Sequence, residues 1–184
     1  MTLIKAYNLM ENKKVIFWLN VISIPLIFLF IFLFTTLLYV FYGNEDFGVS
    51  MNFGLMDFVI FLLFFFLLIV VHELIHGAFF KLFHPEGKVK FGFKNGMAYA
   101  TSPNSFYTRG QFILICLAPF VLISSALMGY ALFSLNTSIP LIFLASCHAA
   151  SCVGDFYWVY LISRQGGEIR VQDTEVGMSI YMKD

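Results

Sequence analysis

The residues best suited to chemistry lie in one short segment, 71–77, which reads Val-His-Glu-Leu-Ile-His-Gly and contains the pattern HExxH. On a helix, His72 and His76 are four residues apart and lie on one face, so both imidazoles can reach a single metal ion. Glu73 lies one step around the helix, where its carboxylate can hold and deprotonate a water bound to that ion. The spacing predicts a zinc site with Glu73 as the catalytic base.

The segment before the motif is strongly apolar. Residues 58–71 carry only hydrocarbon and aromatic side chains, so the polar groups that follow would lie inside a lipid bilayer. Ionisable residues at that depth are energetically costly and are usually functional. The alternative is a chance HExxH in a membrane helix whose histidines only satisfy hydrogen bonds. We interpret the segment as a zinc site within the membrane.

The composition is that of a membrane protein. Hydrophobic residues make up 60% of the 184-residue chain and charged residues only 12%, whereas soluble domains are about 25% charged. The formal net charge is zero and no basic stripe occurs, which argues against a nucleic-acid partner. The length suits one integral membrane domain over 1–184. The three cysteines, all in apolar stretches, argue against a disulfide framework.

Four apolar stretches are long enough to cross a bilayer as helices. They cover about residues 15–42, 53–81, 111–135 and 139–163. A polar connection at 84–110 joins the second span to the third, and a polar tail follows at 165–184. The predicted fold class is an all-α membrane protein with four transmembrane helices and a small cytoplasmic β-hairpin in the 84–110 connection.

The basic residues predict the orientation. The basic residues that flank the spans all fall on one side of the membrane, and the two loops on the opposite side contain none. The flanking basic residues are Lys13, Lys14, Lys88, Lys90, Lys94, Arg109, Arg164 and Arg170. Basic residues concentrate on the cytoplasmic side of membrane proteins. The chain is therefore predicted to be a multi-pass protein of the cell membrane with both termini in the cytoplasm.

Depth in the membrane predicts the third metal ligand, since a catalytic zinc normally has three protein ligands. His72 is nine residues before Lys81, and Asp155 is nine residues before Arg164. At about 1.5 Å of rise per residue, both lie about 13 Å from the same membrane boundary. Asp155 is also the only carboxylate in the fourth span. We predict His72, His76 and Asp155 as the metal ligands.

Other candidates remain open. His148 precedes Asp155 by seven residues, which corresponds to about 10 Å along a helix. If Asp155 coordinates the metal, His148 is expected to be too far away to join it. It then lines the cavity or hydrogen-bonds a neighbouring helix, with coordination by His148 as the lesser alternative. His84 and Glu86 follow the motif and could fold back over the site.

The 84–110 connection has the pattern of a β-hairpin. Residues 88–93 alternate in polarity, Asn95-Gly96 favours a type I′ turn, and residues 97–101 can return as a second strand. This register places Phe91 opposite Ala100. The free edge of such a hairpin could bind an extended peptide by strand addition beside the metal. The alternative is a surface hairpin that packs over the helix ends.

Four features together resemble the site-2 protease type of intramembrane zinc metallopeptidase. They are HELIHG at the end of an apolar helix, the hairpin-like loop, Leu117-Ala118-Pro119 in the third span and Gly154-Asp155 in the fourth. Within that type, the chain is similar to the small bacterial putative zincin peptidases with four helices. The resemblance covers about residues 55–184, including Gln172-Asp173-Thr174.

This resemblance implies Zn²⁺ as cofactor, with His72, His76 and Asp155 as its ligands and Glu73 as the base. One departure concerns the aspartate motif, since site-2 proteases usually have an upstream Asn and Pro and an Asp-Gly pair. Residues 151–156 read Ser-Cys-Val-Gly-Asp-Phe instead. The departure bears more on substrate handling than on metal binding.

The predicted function is that of a zinc-dependent intramembrane metallopeptidase. Its expected partners are the lipid bilayer and a membrane protein or peptide as substrate. Two alternatives come from other classes. One is a non-catalytic, metal-binding membrane scaffold or regulator. The other is a small ion-handling transporter that uses His148 and Asp155, although four helices without an internal repeat are poorly suited to alternating access.

Overall fold

A computed structural model describes residues 1–9, 11–43, 54–94, 97–133, 139–175 and 177–182. Long helices form a bundle, and two small antiparallel sheets lie at one of its ends. In chain order the elements are β1 (Thr2–Asn8), α1 (Lys13–Tyr42), α2 (Leu55–Phe83), β2 (Lys90–Lys94), β3 (Met97–Thr101), β4 (Phe106–Thr108), α3 (Arg109–Phe133), α4 (Ile139–Ser151), α5 (Val153–Ser163), β5 (Ile169–Thr174) and β6 (Gly177–Met182).

Among the described residues, four helical stretches are long and apolar enough to cross a membrane: α1, α2, α3 and the continuous run of α4 and α5. Their bounds lie within two residues of the predicted spans. In the 18-residue apolar window of α2 no side chain is buried, so its hydrocarbon faces outward. Such a surface requires an apolar surrounding. These four helices indicate a multi-pass membrane protein and confirm the helical part of the predicted fold.

The fourth span is irregular at Cys152, between α4 and α5. Ser151 Oγ donates a hydrogen bond to the carbonyl oxygen of His148 at 2.7 Å, and Cys152 Sγ approaches the same oxygen at 3.4 Å. Side chains that bond to backbone carbonyls compete with the helical hydrogen bonds and locally disturb a helix. Asp155 lies in the first turn of α5, directly after this irregularity.

The prediction of an all-α fold is wrong, because the lead and the tail form strands. They join β4 in a four-stranded antiparallel sheet with the order β1-β6-β5-β4. Alternate residues of β5 and β6 face the helix ends and are buried there, in contact with the apolar side chains of α2 and α3; they are Ile169, Val171, Met178 and Ile180. The tail is too short to fold alone, but pairing with the distant β1 and β4 gives it a buried face.

The predicted hairpin is confirmed as β2 and β3, with Phe91 opposite Ala100. Asn95 and Gly96, where a type I′ turn was predicted, lie outside the described residues. The hairpin packs closely on α2 beside the HExxH motif. A Cβ atom added to Gly77 would lie only 2.5 Å from Phe91 Cζ, so the absence of a side chain at Gly77 permits this contact.

Strand pairing places three segments at one end of the bundle. β1 pairs with β6, so the two termini lie together, and β4 in the connection between α2 and α3 pairs with β5. This arrangement agrees with four spans of alternating direction. That this end faces the cytoplasm stays a prediction, as does the assignment of 1–184 to one integral membrane domain.

Candidate metal centre

The two motif histidines of α2 meet Asp155 of α5. His72 Nε2 lies 3.0 Å from His76 Nε2 and 3.2 Å from Asp155 Oδ2. His76 Nε2 lies 3.4 Å from Asp155 Oδ1. The structure therefore brings together the three side chains that were predicted from helical spacing and from membrane depth.

The arrangement fits zinc. Nitrogen and oxygen ligands at about 2.0–2.1 Å from a tetrahedral zinc lie about 3.3–3.4 Å from one another, close to the 3.0, 3.2 and 3.4 Å found here. Two imidazoles and one carboxylate form a known donor set of catalytic zinc, with the fourth position left for water or substrate. All three residues offer atoms within 4.8 Å of one another.

His76 is oriented by a carbonyl of α3. Its Nδ1 lies 2.9 Å from the carbonyl oxygen of Ile115, and since a carbonyl only accepts, Nδ1 carries the proton. In a regular helix this oxygen would accept from the N–H of residue 119, but Pro119 has none. Pro119 thus leaves the Ile115 carbonyl available to His76. Nε2 is then the nitrogen left to bind a metal, and it faces His72 and Asp155.

His148 lies closer to this centre than we predicted. Its Nε2 is 3.3 Å from His72 Nδ1, whereas the rise between His148 and Asp155 suggested isolation from the site. The distance along the helix and the close contact are compatible, because the imidazole of His72 lies between the two residues: its Nε2 faces Asp155 and its Nδ1 faces His148. His148 hydrogen-bonds a neighbouring helix and also lines the cavity described next; both of these expectations are confirmed.

A cavity of about 690 Å³ opens at this centre. It is lined by the metal-binding candidates and by Glu73, by β3, and by the ends of β5 and β6. The backbone N–H of Ala100 in β3 faces the Glu73 carboxylate. Lys90 Nζ contacts Glu175 Oε1 at 2.9 Å and so connects the hairpin to the end of β5. Within the described part of the chain, His84 and Glu86 neither line this cavity nor join a metal-binding group.

Asp173 is a further acidic group in this cavity. It follows Ile169 and Val171 on the inward face of β5, and among the described residues no hydrogen-bond partner approaches its Oδ2 atom. Burial raises the pKa of this carboxyl to about 7, against the lowering effects of Thr101 and His76. In the sequence, Asp173 stands out only as part of Gln172-Asp173-Thr174, within the resemblance to the zincin peptidases. The available signal was the alternation of 169–173, which places it in line with two buried residues.

Comparison with known proteins gives one family. The model of a family described as putative zincin peptidase matches residues 65–168, which is more than half of the chain and includes HExxH, Pro119 and Asp155. No curated protein and no solved structure matches the chain. Strands β1, β5 and β6 lie wholly outside the matched residues. The chain belongs to the putative zincin peptidase family.

Proposed function

We propose that this protein is a zinc-dependent intramembrane metallopeptidase that hydrolyses peptide bonds of membrane-associated proteins. One observation carries the proposal: two imidazoles and Asp155 converge at 3.0–3.4 Å on the cavity that Glu73 also lines. Membership of a zincin peptidase family supports the chemistry, and four apolar helices support the location.

In this proposal His72, His76 and Asp155 would hold the metal. Zinc there would lower the pKa of a water and polarise the substrate carbonyl. Glu73 accepts a proton from the attacking water as its oxygen bonds to the carbonyl carbon. When the C–N bond breaks, Glu73 passes that proton to the leaving nitrogen. Glu73 is the catalytic residue, and the proton it takes up is the one it returns.

The β3 edge offers a way to present the substrate. Backbone groups within a helix are hydrogen-bonded internally, so a peptide must be extended or locally unwound to be cleaved. An extended segment added along β3 would gain main-chain hydrogen bonds, and the Ala100 N–H that faces the Glu73 carboxylate supports an approach along this edge. The close contact of Phe91 with Gly77 holds the hairpin in that position.

The test compares wild-type protein with Glu73→Gln after purification in detergent. We expect equal zinc content in both proteins, and hydrolysis only in the wild type. Glu86→Gln is the matched control, because Glu86 lies outside the cavity; it should retain activity. Proteins that accumulate in membranes of cells with Glu73→Gln would reveal substrates. Full activity of Glu73→Gln would refute the assignment, and wild-type zinc without any hydrolysis would favour the scaffold alternative.

A further inference from the structure

The second nitrogen of His72 faces the one buried histidine that the proposed chemistry does not use. His72 Nδ1 lies 3.3 Å from His148 Nε2, and the two rings meet at 65° with centroids 5.5 Å apart. His148 is only 1% exposed and belongs to α4, a different helix from either motif histidine or Asp155. The contact therefore links a third part of the bundle to the candidate metal centre.

We propose that His148 is a positioning residue, which accepts a hydrogen bond from His72 Nδ1–H and thereby keeps His72 Nε2 directed at His76 and Asp155. This inference rests on the proposed zinc site. Metal-binding histidines usually donate their other N–H to a partner that fixes the ring, and loss of such a partner weakens metal binding about 10–100-fold. His76 has such a partner in the Ile115 carbonyl.

The same atoms could instead hold a second metal ion. His72 Nδ1, His148 Nε2 and Cys152 Sγ lie within 4.8 Å of one another. That use requires a bare His72 Nδ1 and a thiolate at Cys152. The fully buried Cys152 directs its thiol at the His148 carbonyl oxygen, 3.4 Å away, as a hydrogen-bond donor. This contact favours a protonated sulfur, and so the hydrogen bond between the histidines rather than a second metal.

Two substitutions separate positioning from general packing. His148→Leu removes the acceptor while preserving apolar bulk, and His148→Gln keeps an oxygen near the position of Nε2. We expect His148→Leu to weaken zinc binding about 10–100-fold, measured by competition with a chelator, and His148→Gln to restore most of it. Thermal unfolding of the zinc-free proteins should show little net change for His148→Leu: His72 Nδ1 loses its partner, but the buried His148 Nδ1, which has no hydrogen-bond partner among the described residues, is removed as well.

Each outcome bears on the inference. Wild-type zinc affinity in His148→Leu would overturn it while leaving the proposed peptidase intact, whereas absence of zinc from the wild type would overturn both. If His148→Leu fails to fold, His148→Asn replaces it, because the asparagine amide is too short to reach His72. Equal zinc affinities of His148→Asn and His148→Gln would then contradict the inference.

Cobalt distinguishes the second-metal alternative. Co²⁺ bound to thiolate absorbs through a sulfur-to-metal charge-transfer band, and nitrogen and oxygen ligands produce none. We expect one Co²⁺ per chain, no such band, and the same spectrum in Cys152→Ser. A charge-transfer band that disappears in Cys152→Ser, or a second bound ion, would overturn the positioning role and assign a metal site to His72, His148 and Cys152.

Discussion

His76 Nδ1 lies 2.9 Å from the carbonyl oxygen of Ile115, the oxygen that Pro119 leaves without a helical donor. A proline inside a helix normally costs stability, since it removes a hydrogen bond and crowds the preceding turn. Here the unpaired carbonyl orients an imidazole of the candidate metal centre. The relationship joins a backbone irregularity of α3 to the chemistry of α2.

Pro119→Ala should therefore weaken zinc binding while it stabilises the helix. The new N–H of residue 119 competes with His76 for the Ile115 carbonyl. One hydrogen bond has a net worth of about 0.5–1.5 kcal/mol, which corresponds to about a 2- to 10-fold loss of zinc affinity. Chelator competition measures the affinity, and thermal unfolding of the zinc-free protein measures the stability.

Pro25→Ala is the matched control, because Pro25 also lies inside a helix, α1, and no residue of that helix lines the cavity or belongs to the candidate metal centre. It should leave zinc affinity unchanged. Equal affinities in wild type and Pro119→Ala would show that the Ile115 carbonyl does not orient His76.

Gly77→Ala should disturb the contact between the hairpin and α2. An added Cβ would lie 2.5 Å from Phe91 Cζ and 3.3 Å from Val89 Cγ1, so the Phe91 ring must move away from α2 or the hairpin must shift. Overpacking of this kind costs about 1–3 kcal/mol. We expect a lower unfolding temperature and slower peptide cleavage, with zinc content unchanged, because the metal-binding side chains are not displaced.

A second substitution, Phe91→Ala, tests the cause, and another glycine serves as the control. Phe91→Ala removes the ring that the new Cβ would meet, so the double variant Gly77→Ala/Phe91→Ala should unfold at the same temperature as Phe91→Ala alone. Gly129→Ala in α3 meets nothing within 4 Å and should behave as wild type. If Gly77→Ala cleaves and unfolds like Gly129→Ala, the hairpin does not depend on this contact.

Asp173 should make the zinc-free protein less stable as the pH rises from about 4 to 7. Burial raises its pKa to about 7 in the folded protein, so over this range the folded state binds a proton that the unfolded chain has released. Stability is then lost with increasing pH, by up to about 1.4 kcal/mol per pH unit. Asp173→Asn removes this contribution and should flatten the profile of unfolding temperature against pH.

Glu175→Gln is the comparison for Asp173→Asn. Glu175 also lines the cavity, but its carboxylate pairs with Lys90 and is 48% exposed. Its substitution should leave the slope between pH 4 and 7 close to that of the wild type. Parallel profiles for wild type and Asp173→Asn would mean that this carboxyl ionises in the folded protein as it does in the unfolded chain.

The sheet-bearing end of the bundle should face the cytoplasm. Basic residues concentrate there, and both termini lie at this end because β1 pairs with β6. Short tags at the N- and C-termini should become accessible to antibody only after the membrane is permeabilised. Labelling of either tag on intact cells, after removal of any outer envelope, would reverse the orientation.

Local patterns in the sequence were sufficient to predict the helices and the three metal-binding candidates. Span boundaries follow from apolar length, His72 and His76 from the helical period, and Asp155 from equal distances to the basic residues at the helix ends. Each of these inferences uses regular spacing along one or two helices, and regular spacing persists in the folded bundle.

Contacts between distant segments could not be predicted in this way. The pairing of β1 with β6 joins the two termini, and nothing in the short strand 2–8 indicates its partner. The contact of His148 with His72 was not predicted, because backbone rise gives only the separation along one helix and ignores the second nitrogen of the His72 ring. The absence of an N–H at Pro119 is visible in the sequence, but the approach of His76 to Ile115 depends on helix packing.

The most direct test of the account is X-ray absorption at the zinc edge, applied to purified wild-type protein and to Asp155→Asn. We expect one zinc in the wild type, with nitrogen and oxygen ligands at about 2.0–2.2 Å and no sulfur, and weakened or absent zinc in Asp155→Asn. A sulfur ligand at about 2.3 Å, or full zinc occupancy with an unchanged spectrum in Asp155→Asn, would contradict it.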